Sequence, residues 1–330
     1  MASPMKCPLC DGTVGSERRS VPETMYRTGR SFEYGTCEGC ASWIRIPTAD
    51  GAESFYENEY YSFAVDPLRT FANPIAKSVA ATMGRSATGG SGLVLKAALR
   101  FAPVARARSL ALPLIAVCRA KPAGESLRVL DVGTGSGVLP YVLALAPRVH
   151  ATGVDPFATS DASDGRFTLI RRDMADIDGE WDLIMFHHSL EHVPDPADAL
   201  RRAMELLAPG GHILVRIPTL SSWAFENYGI GWFQIDAPRH EYLPTRDGLD
   251  RLFARAGLSV KDWWDDSTDV QFWMSELVVR GRPMLDPDSS FTRFTPAPVG
   301  RIALRRMRRR ASTLNRRMAG DQTCVVLAER

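Results

Sequence analysis

Residues 127–140 read LRVLDVGTGSGVLP, and this stretch decides the fold. Branched apolar residues lead into an acid, Asp131, and three glycines then alternate at Gly133, Gly135 and Gly137. A short apolar run that ends in a glycine-rich turn and opens a helix is the first βα unit of a doubly wound sheet, whose ligand sits beyond the carboxyl ends of the strands. Two ligand cradles fail on spacing. A dinucleotide turn needs glycine at the sixth position for close helix–strand packing, and Val138 stands there. A phosphate-binding P-loop needs a following Gly-Lys-Ser/Thr, which is absent. Asp131 would repel a pyrophosphate and suits a cation.

Working outward, short apolar runs alternate with helical periodicity from about residue 126 onward, the pattern of βαβ units and a parallel sheet. Strands are predicted at LRVLDV, VHATGVD, FTLIRR, WDLIMF, HILVRI, LSVKDWWDD and TCVVLAER. A helix is predicted over DPADALRRAMELLAP, and a second over TRDGLDRLFARAG with Thr245 as its cap and Gly257 at its end. The fold class is therefore α/β: a Rossmann-like, doubly wound, mostly parallel sheet of seven strands.

The 330 residues divide into a module at 1–50, a connector and helical preamble at 51–125 that begins with ENEYYSF, and the α/β core at 126–330. Within the core lie a lid insertion at about 219–244 and a basic helical insertion at about 283–320. Composition is that of a globular chain, 45% hydrophobic and 24% charged, with net charge +2. The chain as a whole is thus no polyanion binder, and any such binding must come from a local patch. The start, MASPMKCPLC, lacks the apolar run of a secretory signal, and SLALPLIAVC is too short to span a bilayer, so a cytoplasmic protein is expected.

Four of six cysteines form two pairs, Cys7 with Cys10 and Cys37 with Cys40, 26 residues apart. Two CxxC knuckles suit a tetrahedral Zn2+ held by four thiolates, a structural site with no open position for water. This predicts a small zinc-ribbon-like module. Cys118 and Cys324 lie in apolar runs and read as core thiols.

The acid and alternating glycines resemble motif I of the class I S-adenosylmethionine-dependent methyltransferases, and the resemblance covers about 126–330. Further matches follow in order: Asp155 in ATGVDP, 24 positions after Asp131, then Asp173 in LIRRDMAD, WDLIMFHHSLEHVPDP, and APGGHILVRIP. The resemblance implies S-adenosyl-L-methionine bound by Asp131, Gly133, Thr134, Gly135 and Gly137. It implies that Asp155 takes the ribose hydroxyls, that Asp173 and Met174 border the adenine, and that His187 touches the cofactor. A cysteine knuckle before such a core resembles bacterial methyltransferases of glycan, deoxysugar and natural-product biosynthesis, which implies a saccharide or other small-molecule acceptor.

Methyl transfer to a hydroxyl needs positioning and a proton acceptor, and histidine is the commonest near neutrality. His240, in the aromatic segment WFQIDAPRHEYLPT, is the first candidate base, followed by His192 in LEHV and by His188. Glu191 and Asp236 are reserve acceptors. Tyr228, Trp232 and Phe233 read as pocket walls or as core. The position after the fourth strand reads FHHS, unlike enzymes that methylate base amines. Two alternatives keep the donor and change the acceptor: carbon methylation of a nucleotide-linked deoxysugar, or RNA methylation gripped by knuckle and basic helix. A third, a non-catalytic scaffold, is disfavoured by the intact acids at 131, 155 and 173.

RIALRRMRRRASTLNRR carries eight arginines in 17 residues without a wide apolar face. It reads as a largely solvated helix. As a binding surface it would take an anionic membrane face or a lipid-linked glycan, with nucleic acid disfavoured. Attachment to the inner face of the membrane would follow, and oligomeric state is not legible.

Overall fold

The computed structural model describes residues 4–48, 65–90, 93, 95, 110–122, 124, 126–284 and 300–330. ENEYYSF and the first part of the basic insertion, 285–299, lie outside the described residues. The amino-terminal module holds β1 (Val14–Pro22), β2 (Ser31–Cys37) and β3 (Trp43–Arg45). Among the described residues of the preamble, three helices follow: α1 (Pro67–Thr70), α2 (Pro74–Thr88) and α3 (Ala111–Ala120). The core then runs β4 (Leu127–Val132), α4 (Val138–Ala144), β5 (Val149–Val154), β6 (Ala162–Asp164), β7 (Phe167–Ile170), β8 (Trp181–His187), α5 (Pro196–Glu205) and β9 (Leu207–Pro218). After α6 (Trp223–Tyr228) and β10 (Tyr242–Leu243) come α7 (Arg246–Arg255), β11 (Leu258–Asp265), α8 (Val270–Val279), α9 (Arg301–Arg316) and β12 (Gln322–Glu329).

The main sheet has the order β11-β12-β9-β8-β4-β5-β7-β6. Its centre, β9-β8-β4-β5-β7, is parallel throughout. Strand β12 inserts antiparallel between β9 and β11. The sheet is Rossmann-like and doubly wound as predicted, with one correction: among the described residues it has eight strands, not seven. The eighth, β6, is a three-residue strand that pairs antiparallel with β7 after the positive-φ turn at Gly165. It is too short for a period-two pattern to show.

Strand residues alternate between two cores, as a pleated sheet covered on both faces requires. Leu130, Ile184, Val215 and Val325 face Leu200 of α5 and Leu249 and Phe253 of α7. Val129, Leu183, Leu214 and Val326 face Met83 of α2, Leu114 of α3 and Val142 of α4. The preamble helices thus cover one face of the sheet. The caps follow the sequence: Asp195 accepts from Asp198 N at the start of α5, and Thr245 accepts from Gly248 N at the start of α7.

The module's own sheet has the order β1-β2-β3-β10. Its fourth strand comes from the insertion after β9, with Tyr242 opposite Ile44 and Leu243 opposite Trp43. The insertion is consequently no free flap. Trp232, Ile235 and Ala237 are buried among Val21, Phe32, Tyr34 and Trp43 of the module. Among the described residues no helix is long and apolar enough to cross a membrane.

Candidate active site

The glycine turn sits at the carboxyl ends of β4 and β5. Gly133 N donates to Val154 O at 2.8 Å, and Gly135 N donates to Asp155 Oδ2 at 2.8 Å. Gly133 has φ +69°, and a Cβ there would lie 2.5 Å from Ser189 Cβ, so only glycine lets the β8 end close on the turn. Ser189 Oγ ties the two by donating to Val132 O at 2.6 Å.

Asp131 is buried beneath this turn and accepts from Thr134 Oγ1 at 2.6 Å. Its other oxygen, Oδ1, is buried without a partner. Burial pushes its pKa from 3.8 up to about 7, against the Thr134 bond. Asp155 is buried too, and Phe157 N donates to its Oδ1 at 2.9 Å. Burial raises its pKa. Asp173 is exposed and caps the 3-10 turn Met174–Asp176 through Ala175 N, while Met174 is buried.

The three candidate bases converge on one carboxylate. Glu191 is fully buried, and neither of its oxygens has a hydrogen-bond partner. His188 Nδ1 stands 3.4 Å from Glu191 Oε1 and His240 Nε2 stands 3.8 Å from it. The His192 and His240 rings meet edge to face at 4.8 Å. Burial alone would raise the Glu191 pKa, but the surrounding imidazoles outweigh it and leave it lowered. Burial pushes His240 down to about 4. His188 holds φ +53°, a left-handed conformation uncommon for histidine and often found where function demands it.

His240 Nδ1 lies 3.0 Å from Gln234 O, and His192 Nδ1 lies 2.9 Å from Arg239 O. A ring nitrogen facing a carbonyl must carry the proton, so in the neutral form of each ring Nε2 has the lone pair. His187 has a different partner: Arg216 NH1 donates to its Nε2 at 3.0 Å, and Arg216 Nε donates to Asp266 Oδ2 at 2.7 Å. Burial, with the nearby guanidinium, holds its pKa well below the ordinary value. His187 is thus neutral, with its proton on Nδ1.

Residues 236–243 form a strap joining the histidines to the module. Tyr34 OH donates to His240 O at 2.8 Å, and Arg45 N to Glu241 O at 2.8 Å. Buried Arg239 bridges Asp236 to Glu23 of the module. Arg216, Arg239 and Asp266 are site residues that the sequence reading missed. Arg216 had a signal, a charged residue inside the apolar strand HILVRIP. Arg239 and Asp266 had none.

The four knuckle cysteines come together, with every sulfur within 4.8 Å of the others. Cys7 Sγ lies 3.8 Å from Cys40 Sγ, and Cys10 Sγ lies 3.4 Å from Cys37 Sγ. A tetrahedron with Zn–S bonds of about 2.3 Å has edges of about 3.8 Å, so the set fits. The knuckles repeat each other: Cys7 N donates to Gly12 O and Cys37 N to Ser42 O, with positive φ at Asp11 and Ala41. Cys118 is half-buried and Cys324 buried, both apart from this cluster.

Residues 99–262 match the family described as a methyltransferase domain. A ubiquinone biosynthesis O-methyltransferase of Marinobacter nauticus is 36% identical over 102 residues, 27% of this chain and 42% of that protein. That of Aromatoleum aromaticum is 33% identical over 153 residues, 41% of this chain and 65% of that protein. The chain therefore spans less than two thirds of the length of these relatives. Among solved structures, a cyclopropane synthase from Mycobacterium tuberculosis is 15% identical with a TM-score of 0.42, over 64% of this chain and 81% of that one. The strand order, the glycine turn and the match over 99–262 agree, and the core of this chain has the class I, doubly wound fold and is similar to a methyltransferase domain.

Proposed function

We propose that this protein is an S-adenosylmethionine-dependent methyltransferase that methylates a hydroxyl of a saccharide or another small-molecule intermediate. The observation that carries this reading is one of place: a buried acid with an unpaired oxygen under a glycine-rich turn, and a histidine cluster at the end of the neighbouring strand β8. The cofactor supplies a methyl carbon on a sulfonium. Its ammonium fits the orphaned Asp131 Oδ1, and the ribose hydroxyls fit the remaining lone pairs of Asp155. The acceptor hydroxyl gives its proton to His188, whose side chain is 28% exposed against 8% for His240. The acceptor oxygen then forms the bond to carbon while the carbon–sulfur pair returns to sulfur, leaving a neutral thioether. The similarity to O-methyltransferases supports oxygen over carbon as the acceptor atom.

Cys7, Cys10, Cys37 and Cys40 would hold Zn2+ as a structural ion, and nothing in the transfer passes through it. For the basic helix α9 we propose contact with an anionic membrane face or lipid-linked acceptor. Only Ala311 and Leu314 of this helix are buried, and most of its arginines are exposed.

The direct test is transfer of labelled methyl from S-adenosylmethionine into a fractionated cell extract, with calorimetric titration of S-adenosylhomocysteine alongside. Saturable binding and a labelled small-molecule product are expected. Absence of any binding would sink the reading.

A further inference from the structure

We infer that Glu191, His192 and His240 form a binding site for one divalent first-row cation, which holds the acceptor oxygen beside the methyl donor. The inference rests on the methyltransferase reading above and gives it a second ligand.

Geometry comes first. One ligand atom from each of the three residues lies within 4.8 Å of the others, and His240 Nε2 is 3.8 Å from Glu191 Oε1. Metal–ligand bonds of about 2.1 Å place ligand atoms about 3.0–3.4 Å apart in octahedral or tetrahedral shells. Side-chain movements of about 0.7 Å each therefore close the site. His188 falls outside this set, although its Nδ1 is near Glu191.

The electrostatics need a positive charge at this point. Glu191 is fully buried, neither of its oxygens has a hydrogen bond of ordinary geometry, and only the His188 ring, at 3.4 Å from Oε1, offers it a nearby proton. An ionised carboxylate so placed is costly unless it is paired or bound to a metal. The next ring atom out from Oε1 after His188 Nδ1, His240 Nε2, carries a lone pair, because Nδ1 of the same ring is committed to Gln234 O. Acceptor thus faces acceptor across 3.8 Å, an arrangement that a cation or a proton between them relieves.

The outer contacts are those of metal-ligating histidines. Both rings donate Nδ1–H to a backbone carbonyl, Gln234 O for His240 and Arg239 O for His192. Such bonds fix the tautomer and aim Nε2 inward. Two imidazoles and one carboxylate suit Mn2+, Fe2+ or Zn2+ and leave coordination positions open for an acceptor oxygen. The position is also right for catalysis, since Glu191 and His192 follow Ser189, whose hydroxyl donates to Val132 O at the base of the glycine turn. An acceptor hydroxyl on the cation would lose its proton more readily, with His188 free of the ligand set to receive it.

Mn2+ is the probe, because it is hard and does not compete for four thiolates. Titration of the zinc-loaded protein with Mn2+, followed by the loss of the free-ion electron paramagnetic resonance signal, should show one site per chain. Glu191→Gln should abolish that site, and His240→Ala should weaken it at least tenfold. S-adenosylhomocysteine affinity, measured on the same samples, should persist in both variants. Absence of Mn2+ uptake by the folded wild-type protein overturns the inference, as does uptake unchanged in Glu191→Gln. Loss of S-adenosylhomocysteine binding by the wild-type protein would instead overturn the methyltransferase reading.

Discussion

Asp131→Asn should make the cofactor-free protein more stable at pH 8 and should remove the pH dependence of cofactor affinity. Asp131 is buried, one of its oxygens is unpaired, and burial moves its pKa from 3.8 to about 7. The folded state therefore binds more protons than the unfolded state between these values, so stability falls as pH rises through that window and levels off above about 7. At roughly 1.4 kcal/mol per unit, the full penalty for the charged form is about 4 kcal/mol. Asparagine never acquires that charge. With an unfolding entropy of roughly 2 cal/mol/K per residue, the gain in Tm at pH 8 is about 6 °C. Binding has the opposite dependence. A cationic ligand wants the ionised acid, so S-adenosylhomocysteine affinity in the wild-type protein should weaken about tenfold for each pH unit below 7. Calorimetry at several pH values from 5.5 to 8.5, with thermal melts of the free protein, measures both effects. A wild-type affinity that is flat across this range, or an Asn variant that melts below wild type at pH 8, would refute the placement of the ligand's ammonium at Asp131.

Metal analysis of the purified chain should find about one zinc per chain, and Cys37→Ser should lose it and lower Tm by several degrees, as expected for a small module stapled by a metal. Tyr34→Phe, which leaves His240 O without its buried donor, should cost about 1–2 kcal/mol in denaturant titrations. The same variant should slow methyl transfer more than it weakens cofactor binding, because the strap carries His240 and not the glycine turn. Neutralising Arg305, Arg306 and Arg309 together to Gln should abolish co-sedimentation with phosphatidylserine vesicles at low salt and leave the melting temperature unchanged. These three side chains are exposed and make no structural ion pair among the described residues.

The parts of the fold set by local pattern were legible. Strand periodicity and caps such as Thr245 depend on neighbours within a few residues, and β4, β5, β7, β8, β9, β11 and β12 stand where the pattern placed them. The glycine turn was legible because each glycine answers a steric demand, as Gly133 does against Ser189. The parts set by distant pairing were not. Strand β10 has two residues and exists only because β3, about 200 positions earlier, offers an open edge. The aromatics and prolines of 219–244 suggest a lid, whereas Trp232 is 1% exposed and packs with the module. The histidines could be named as candidates, yet nothing in LEHV says that Glu191 is buried without a hydrogen bond of ordinary geometry, which is a property of packing.

The distant pairing also explains why a cysteine module precedes this domain at all. The 27 residues between β9 and α7 cannot hold a histidine in place through their own contacts, because ordering each residue costs about 1–2 kcal/mol. Here the strap is held from outside: β3 pairs with it, Tyr34 and Arg45 bond to its backbone and Glu23 meets Arg239. The module that does this is itself too small for a self-sufficient core, and the cysteine cluster would supply the missing rigidity. Thr245 closes the circuit, since it caps α7, bonds through Oγ1 to Cys40 O and receives Ser42 Oγ at its own backbone N–H. One prediction separates this account from a module that merely rides on the core. Loss of the metal should release His240 before it unfolds the sheet, so methyl transfer should fall at chelator concentrations that leave S-adenosylhomocysteine binding intact.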